Sequence, residues 1–218
     1  MLLSLIIPIY NVEKYIAECI QSILYQLTEE VEVIVVNDGT LDNSLCILNE
    51  LIGNIPEILR KSFIIIDQKN QGQSIARNNA IDIAQGEFIG FIDSDDYVDS
   101  SYINKIINEL KENPDIDVLS FCGRAFSDNR FLNKVINERI NSGKFHNDYE
   151  FIFQNFDNCE WMCWTRVIRR ELLIENKFPK GYILEDMFVF VNLYLLDIRI
   201  KHIEDVLYFY RQHPQSAT

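Results

Sequence analysis

Basic residues are scarce in this chain of 218 residues, which has 20 Lys and Arg against 33 Asp and Glu. The net charge of -13 disfavours nucleic acid and anionic membranes as primary partners, because the chain would repel both. An anionic substrate would therefore need a metal ion or a local basic pocket. Hydrophobic residues make up 48% of the chain, which is ordinary for a globular protein.

Long apolar runs are also missing. No stretch approaches the roughly 18 apolar residues that indicate a membrane span. The apolar residues Met1 to Tyr10 lack both the basic region and the small-residue cleavage site of a signal peptide. We therefore expect a cytoplasmic protein without a transmembrane segment, for which peripheral contact with the inner face of a membrane stays open.

The five cysteines are odd in number and scattered: Cys19, Cys46, Cys122, Cys159 and Cys163. Most fall within apolar patterns, so reduced core thiols are expected. A metal pair of Cys159 and Cys163 is disfavoured because no second pair follows. The chain has no repeat, low-complexity tract or flexible linker, which predicts one domain over residues 1–218.

Strand and helix patterns alternate through the first hundred residues. Continuous apolar runs predict strands at Leu2–Ile9, Val31–Val36, Phe63–Ile66 and Phe88–Ile92, with helices after Asn11 and over 42–52 and 74–84. We expect Asn11 to cap the first helix and Gly86 to end the third. This order predicts βαβ units, and hence an α/β fold with a mostly parallel sheet flanked by helices.

The second half is less regular. Its patterns predict helices over 99–111, 149–156, 169–176 and 185–196, and strands over 118–122 and 206–210. Residues 124–144 are polar and weakly periodic, which predicts a surface excursion.

Acidic residues follow the predicted strands at the edge where open α/β sheets bind ligands, at Asp38, Asp67 and Asp93. Asp93 and Asp95 are two residues apart in an extended segment, so their side chains point the same way. Two carboxylates at one point suit Mg²⁺ or Mn²⁺. The alternatives are an Asp-rich turn with Asp99 capping the next helix, and a simple Asx-turn at Asp38.

An ordered set of short motifs runs through nearly the whole chain. The blocks are Ile6-Ile7-Pro8-Ile9-Tyr10-Asn11, Val35-Val36-Asn37-Asp38-Gly39-Thr40, Asn70-Gln71-Gly72, Ala76-Arg77-Asn78, Phe91-Ile92-Asp93-Ser94-Asp95-Asp96, Trp164, Glu185-Asp186 and Tyr210-Arg211. In this set the chain resembles the family 2 inverting glycosyltransferases of GT-A fold. The resemblance implies a nucleotide-sugar-binding half, 1–100, and an acceptor-binding half, 101–218.

The resemblance implies transfer of a sugar from a nucleotide-diphospho-sugar, most simply UDP-linked, to an acceptor hydroxyl. A divalent cation, Mn²⁺ or Mg²⁺, would stabilise the leaving diphosphate. The resemblance assigns this ion to Asp95, with Asp93 beside it. Asp96 is expected to hold the loop instead. His213 is a further candidate metal ligand, although an exposed His near a chain end is usually solvated.

The donor site implied by the resemblance has Asp38 accepting a hydrogen bond from the base, with Pro8 and Tyr10 lining the base pocket. The other donor-binding candidates are Asp67, Arg77, Ser94, Trp164 and Arg211. Some of these residues also have structural explanations. Pro8 and Tyr10 would serve sheet-edge packing, Arg77 would pair with a strand-end acid, and Trp164 would belong to the core.

Inversion requires a base that removes the proton of the attacking hydroxyl. Asp186 resembles that base, with Glu185 beside it. Without the resemblance, an acidic pair that opens a helix most often interacts only with the helix dipole.

Two other enzyme classes and a binding module compete with this interpretation. A haloacid-dehalogenase-like phosphatase would place its acidic motif after the first strand, and a nucleotidyltransferase would open with a Gly-rich basic loop. A non-catalytic nucleotide-binding module is disfavoured because Asp38, Asp93, Asp95 and Asp186 are all present. The expected partners are the nucleotide-sugar and a saccharide or lipid-linked saccharide acceptor of polysaccharide synthesis. The sequence leaves the oligomeric state open.

Overall fold

A computed structural model of the chain describes residues 1–127, 130–136, 143–144 and 161–213. The helix predicted at 149–156 and Cys159 lie outside the described residues. The strands are β1 Leu3–Ile9, β2 Val31–Asn37, β3 Phe63–Asp67, β4 Phe88–Phe91, β5 Tyr97–Val98, β6 Val118–Ser127, β7 Arg130–Ile136, β8 Gly143–Lys144, β9 Arg166–Arg169 and β10 Arg199–Arg211. The α-helices are α1 Ile16–Leu24, α2 Ser44–Gly53, α3 Glu57–Arg60, α4 Gln73–Ile83, α5 Tyr102–Glu112, α6 Arg170–Glu175 and α7 Glu185–Tyr194.

The described strands form one sheet in the order β3-β2-β1-β4-β9-β6-β10-β5, with β7 beside β6 and β8 beside β10. Strands β1 to β4 are parallel, whereas β9 runs antiparallel to both β4 and β6. The predicted α/β class is confirmed, with a parallel region and a mixed region in the same sheet.

Two apolar layers cover the sheet. Helices α1, α2 and α5 pack their buried residues on one face, and α4, α6 and α7 pack on the other. Because both faces of β1 and β2 are covered, these strands are almost entirely buried. Their continuous apolar runs are therefore the pattern expected for a parallel sheet buried on both sides.

Two of the predicted helix ends are wrong. Helix α1 begins at Ile16, whereas Asn11 has a positive φ of 54° and its Oδ1 accepts the amide of Leu41 at 3.0 Å. Asn11 thus joins the loops after β1 and β2. Gly86 is not a C-cap, because α4 ends at Ile83 and its C-cap residue is Ala84, which has extended backbone. A Cβ at Gly86 would lie 2.6 Å from the Ser4 amide, so close strand packing explains this glycine.

The predicted surface excursion over 124–144 is also wrong in part. Strand β6 continues to Ser127, and residues 130–136 return antiparallel to it as β7. Phe126 and Phe131 form an edge contact across this pair, with ring centroids 6.4 Å apart. This aromatic contact across the two strands stabilises their pairing, although the sequence between the two rings is polar.

Candidate active site at the carboxyl edge of the sheet

Register brings the carboxyl ends of the parallel strands together. Ile9 pairs with Asn37, and Asn37 pairs with Asp67. The Asn37 side-chain amide donates to Asp67 Oδ1 at 2.8 Å, so the exposed Asp67 carboxylate is held at this edge. The loops that follow β1, β2, β3 and β4 therefore surround one region of the surface.

Asp38 is buried, with 3% of its surface exposed, and organises the loop after β3. Its Oδ1 accepts the Gln68 side-chain amide at 2.7 Å and the Gln71 backbone amide at 2.8 Å, while Oδ2 accepts the Gly72 amide at 2.9 Å. Gly72 has φ +89°, a conformation that favours glycine. The role of Asp38 therefore exceeds a local Asx-turn, since its partners lie 30 to 34 positions further along the chain.

Asp96 is almost completely buried and holds the loop after β4, as expected. It accepts the Tyr208 hydroxyl at 2.8 Å and the Arg211 amide at 2.6 Å. The same Tyr208 oxygen accepts the Asp93 amide at 2.9 Å. Burial raises the pKa of Asp96 well above its usual range, and the nearby carboxylates of Asp95 and Asp93 raise it further.

Arg77, with 2% of its side chain exposed, connects three carboxylates. One terminal nitrogen of its guanidinium lies 2.7 Å from Glu185 Oε1 and 3.2 Å from Asp186 Oδ1. The other terminal nitrogen donates to Asp93 Oδ1 at 2.9 Å. The structure thus shows the ion-pair alternative for Arg77, and it extends this pairing from the strand-end acid to the acids of α7.

Asp93 lies where several negative charges meet. Burial raises its pKa to about 6, the Arg77 guanidinium opposes this rise, and the carboxylates of Asp95 and Asp186 add to it. The side chain of Asp93 is 28% exposed, so it can exchange protons with solvent.

Asp95 has different partners from Asp93, and they lie at the end of β10 and just beyond it. Its Oδ2 lies 2.9 Å from His213 Nε2, and its backbone oxygen accepts Arg211 Nε at 2.8 Å. The His213 ring stacks on Tyr15 with centroids 4.8 Å apart. Arg211 also pairs with Glu18, so β10 is tied to α1 across the site.

Of the predicted metal ligands Asp95, Asp93 and His213, the structure brings only two into direct contact. Asp95 and His213 are in contact, whereas Asp93 turns to Arg77. In the part of the chain that the structure describes, no three His, Cys, Asp or Glu side chains are grouped to hold a metal ion. The buried guanidinium of Arg77 occupies Oδ1 of Asp93, at 2.9 Å.

Glu185 and Asp186 open α7 and differ in accessibility. The Glu185 side chain is 5% exposed, and its Oε1 accepts both Arg77 and the Gln73 side-chain amide. The Asp186 side chain is 18% exposed, and its Oδ2 accepts the Cys163 amide at 2.9 Å. Of the two, Asp186 is the carboxylate that a second reactant can reach.

The remaining candidates divide between surface and core. Tyr10 is 44% exposed, Pro8 is partly buried near the end of β1, and Ser94 is buried. Trp164 is 5% exposed and stacks on Tyr208 with ring centroids 4.5 Å apart, so it belongs to the core. An open depression of about 490 Å³ beside Tyr10 is lined by Tyr10, Asn11, Glu13, Lys14, Tyr15 and Asp42.

Sequence reasoning missed several residues of the site. Gln73 anchors Glu185, Tyr15 stacks on His213, Tyr208 joins Asp93 to Asp96, and Glu18 pairs with Arg211. Each contact joins segments more than 100 residues apart, and no local spacing signals it. Among these residues, only Gln73 had a sequence signal, because it directly follows the motif block Asn70-Gln71-Gly72.

The strand order and the acidic carboxyl edge define a GT-A-type α/β protein. S. aureus TarS (residues 1–349), solved in complex with UDP-GlcNAc, superposes with a TM-score of 0.80 at 26% identity, covering 99% of this chain and 60% of TarS. The mannosyltransferase PcManGT from Pyrobaculum calidifontis, solved with GDP-Man and Mn²⁺, superposes with a TM-score of 0.71 over 98% of this chain and 57% of that one. Because the two sequences are only 17% identical, this superposition establishes a shared fold and nothing about function.

Sequence comparison gives the same result. The uncharacterized glycosyltransferase EpsJ of Bacillus subtilis is 33% identical over 237 residues, covering all of this chain and 63% of EpsJ. The sequence model of Glycosyl transferase family 2 matches residues 4–175. The chain therefore belongs to glycosyl transferase family 2. This membership excludes the alternative of a haloacid-dehalogenase-like phosphatase. It spans about three fifths of the length of EpsJ and of the TarS chain of residues 1–349, and 37% of a longer TarS chain.

The structure adds one observation about membranes. Within the described ranges, no helix is both long and apolar enough to cross a bilayer.

Proposed function

We propose that this protein transfers a sugar from a nucleotide-diphospho-sugar, most simply a UDP-sugar, to an acceptor hydroxyl with inversion at the anomeric carbon. One observation carries the proposal. Arg77 joins the strand-end Asp93 to Asp186 of α7, so the donor edge and a candidate base belong to one network. An inverting transfer needs a base held in a fixed position relative to the donor.

The donor is proposed to bind along the loops after β1 and β2. Asp38 uses three acceptor positions on the loop after β3, and an ionised carboxylate offers about four, so one remains for the imide N–H of uracil. The exposed Tyr10 ring can stack on the base, with Pro8 beneath it. Asp67 and Ser94 flank the same edge. The UDP-GlcNAc complex of TarS supports this choice of nucleotide.

Asp95 and His213 fit a divalent cation. Two neighbouring ligand atoms of an octahedral ion at about 2.1 Å lie about 3 Å apart. The Asp95 oxygen and the His213 nitrogen are 2.9 Å apart, so both can bind one Mn²⁺ or Mg²⁺ without moving far. When bound, the ion supplies Lewis-acid stabilisation of the departing diphosphate. Arg211 holds the Asp95 backbone in place.

Asp186 is the proposed base. Arg77 and the Cys163 amide each donate to one of its oxygens, which orients the carboxylate and leaves further lone pairs for the acceptor hydroxyl. Glu185 is too enclosed by Arg77 and Gln73 for the same task. We propose that Glu185 supports Asp186 and does not itself take the proton.

The acceptor is proposed to be a saccharide or lipid-linked saccharide, in the assembly of a polysaccharide or glycoconjugate. The resemblance of the motif set supports this class, and the TarS and EpsJ comparisons are compatible with it. We propose one domain over residues 1–218 in a cytoplasmic setting, with donor-binding and acceptor-binding halves.

Thermal unfolding with UDP tests the donor site. Wild type, Asp95→Asn and the control Asp82→Asn, whose exposed side chain pairs with Lys177, are heated with UDP plus Mn²⁺, Mg²⁺ or chelator. UDP at about a hundred times its Kd adds about 2.7 kcal/mol, which raises Tm by several degrees. We expect this shift to need the metal, to vanish in Asp95→Asn and to persist in Asp82→Asn. A shift with GDP alone would change the nucleotide, and no shift with any nucleotide would refute the proposal.

A further inference from the structure

The guanidinium of Arg77 is closed off from the donor surface. With 2% exposure, three carboxylates within 3.2 Å and the Phe91 and Phe178 rings about it, the side chain has little room for a nucleotide. A direct contact between Arg77 and a bound phosphate would require these ion pairs to break. Such a rearrangement would leave enclosed carboxylates without their cation, which is strongly destabilising.

Arg77 instead connects three elements of the site. It lies on α4, Asp93 follows β4, and Glu185 with Asp186 opens α7. The start of α7 receives no side-chain cap, and Leu184 before it adopts a left-handed φ of 61°. The first turn of this helix is therefore held from outside, by Arg77 on one side and the Cys163 amide on the other.

The two terminal nitrogens of the Arg77 guanidinium allow this side chain to hold carboxylates of separate elements in position. One terminal nitrogen reaches both acids of α7 while the other reaches Asp93, so the two sides of the site are kept at a set separation. A lysine ammonium is a single point charge and cannot span these positions at once. Gln73, one helical turn before Arg77 on α4, also donates to Glu185 and keeps that carboxylate in place.

We propose that Arg77 is a positioning residue for the transfer step, which orients the Asp186 carboxylate toward the donor edge and does not bind the nucleotide. This inference rests on the proposed function. Of the two sequence-based alternatives for Arg77, it favours pairing with acidic residues over contact with the donor.

Arg77→Lys keeps the charge and removes the fork, and its matched control is Arg169→Lys. Arg169 also pairs with two carboxylates, Glu87 and Asp117, but it lies at the opposite edge of the sheet. Isothermal titration measures the Kd of UDP with Mn²⁺. Steady-state kinetics measure UDP release from UDP-GlcNAc, UDP-glucose or UDP-galactose as the sugar passes to the hydroxyl of an added saccharide or to water. Thermal unfolding verifies that each variant is folded.

We expect Arg77→Lys to keep the UDP Kd within threefold and the donor KM nearly unchanged, while kcat falls about 100-fold, since a shift of about 1 Å in a reacting group has that effect. Arg169→Lys should keep all three values. An equal loss of UDP affinity and turnover would make Arg77 a donor contact and overturn the inference, as would a kcat within threefold of wild type.

Two further outcomes are decisive. If Arg77→Lys does not fold, Gln73→Met replaces it, with an expected kcat loss of about tenfold at unchanged UDP affinity. Unchanged turnover in Gln73→Met would then overturn the positioning role. A wild-type protein that binds UDP and turns over none of the three donors would refute the proposed function itself, and the inference with it.

Discussion

The parallel strands β1 to β4 and the mixed strands beyond them present polar groups in different ways. In the parallel region the strands are mainly apolar, and three of them carry an acidic residue at or just beyond the carboxyl end, namely Asp38, Asp67 and Asp93. In the mixed region the polar groups come from a helix start, a 3-10 turn and the end of β10. A parallel sheet gathers its strand ends at one edge through connectivity alone, whereas the second region depends on distant contacts.

Arg77 shows how the two regions meet. It follows β3 in the chain, yet it contacts Glu185 and Asp186, which lie 108 and 109 positions later. The comparison therefore predicts that donor binding and sugar transfer can be separated by mutation.

The largest effect is expected from Asp186→Asn. Loss of the base should lower kcat by about 10³-fold, since general-base catalysis contributes roughly 10²–10⁴-fold. The Kd of UDP with Mn²⁺ should stay within twofold, because Asp186 contacts Arg77 and the Cys163 amide and is not among the proposed donor ligands. UDP release and calorimetric titration measure the two quantities, with Asp82→Asn as control. An Asp186→Asn variant with wild-type turnover would exclude this residue as the base.

The next effect concerns stability in the parallel region. The folded protein keeps the Asp93 proton up to about pH 6, whereas the unfolded chain releases it near 3.8. The stabilisation of the folded protein by this bound proton is thus fully present below pH 3.8, and it is lost as pH rises through 6. Asp93→Asn cannot ionise and avoids this loss, while its amide oxygen still accepts from Arg77. We expect it to be about 2 kcal/mol more stable than wild type at pH 7.5.

Urea unfolding in chelator at pH 4, 5, 6 and 7.5 measures this difference. The advantage of Asp93→Asn should shrink toward zero by about pH 4, and Asp82→Asn should show no such trend. A variant that is less stable than wild type at pH 7.5 would mean that the pair with Arg77 outweighs the burial of the Asp93 charge.

The smallest effect is expected in the mixed region. A Cβ at Gly123 of β6 would lie 2.7 Å from Cζ3 of Trp164, whose ring is held against Tyr208. Gly123→Ala should therefore cost about 1 to 2 kcal/mol of unfolding free energy and leave UDP affinity unchanged. Gly53→Ala is the control, because nothing lies within 4 Å of its Cβ position. Equal unfolding midpoints for the two variants would show that the Trp164 ring moves freely.

Sequence reasoning placed most strands and helices because each depends on local pattern. The long apolar runs of β1 and β2 and the helical spacing of α1 depend on neighbours a few residues away. The errors occurred where a side chain has a distant partner. Asn11 bonds to the next loop instead of capping α1, and Gly86 makes room for Ser4 instead of ending α4.

The same distinction holds within the site. The acids at the strand ends were identified in sequence because the strands before them were, yet their partners, apart from Arg77, were not. The sequence indicates a base contact or a local Asx-turn for Asp38, whereas the structure shows it accepting three hydrogen bonds from Gln68, Gln71 and Gly72. Trp164 was considered for a sugar platform, and it is a core residue stacked on Tyr208.

The sequence by itself determined the α/β class, the parallel region and the collection of acids at one edge. Residues near one another in the chain are sufficient for strand formation and for the position of a strand end. Only the tertiary structure decided that Asp93 pairs with Arg77, that Asp95 meets His213, and that Asp186 is reachable while Glu185 is enclosed. These pairings depend on which distant residues the fold buries together, because a buried charge without a partner strongly destabilises the folded state.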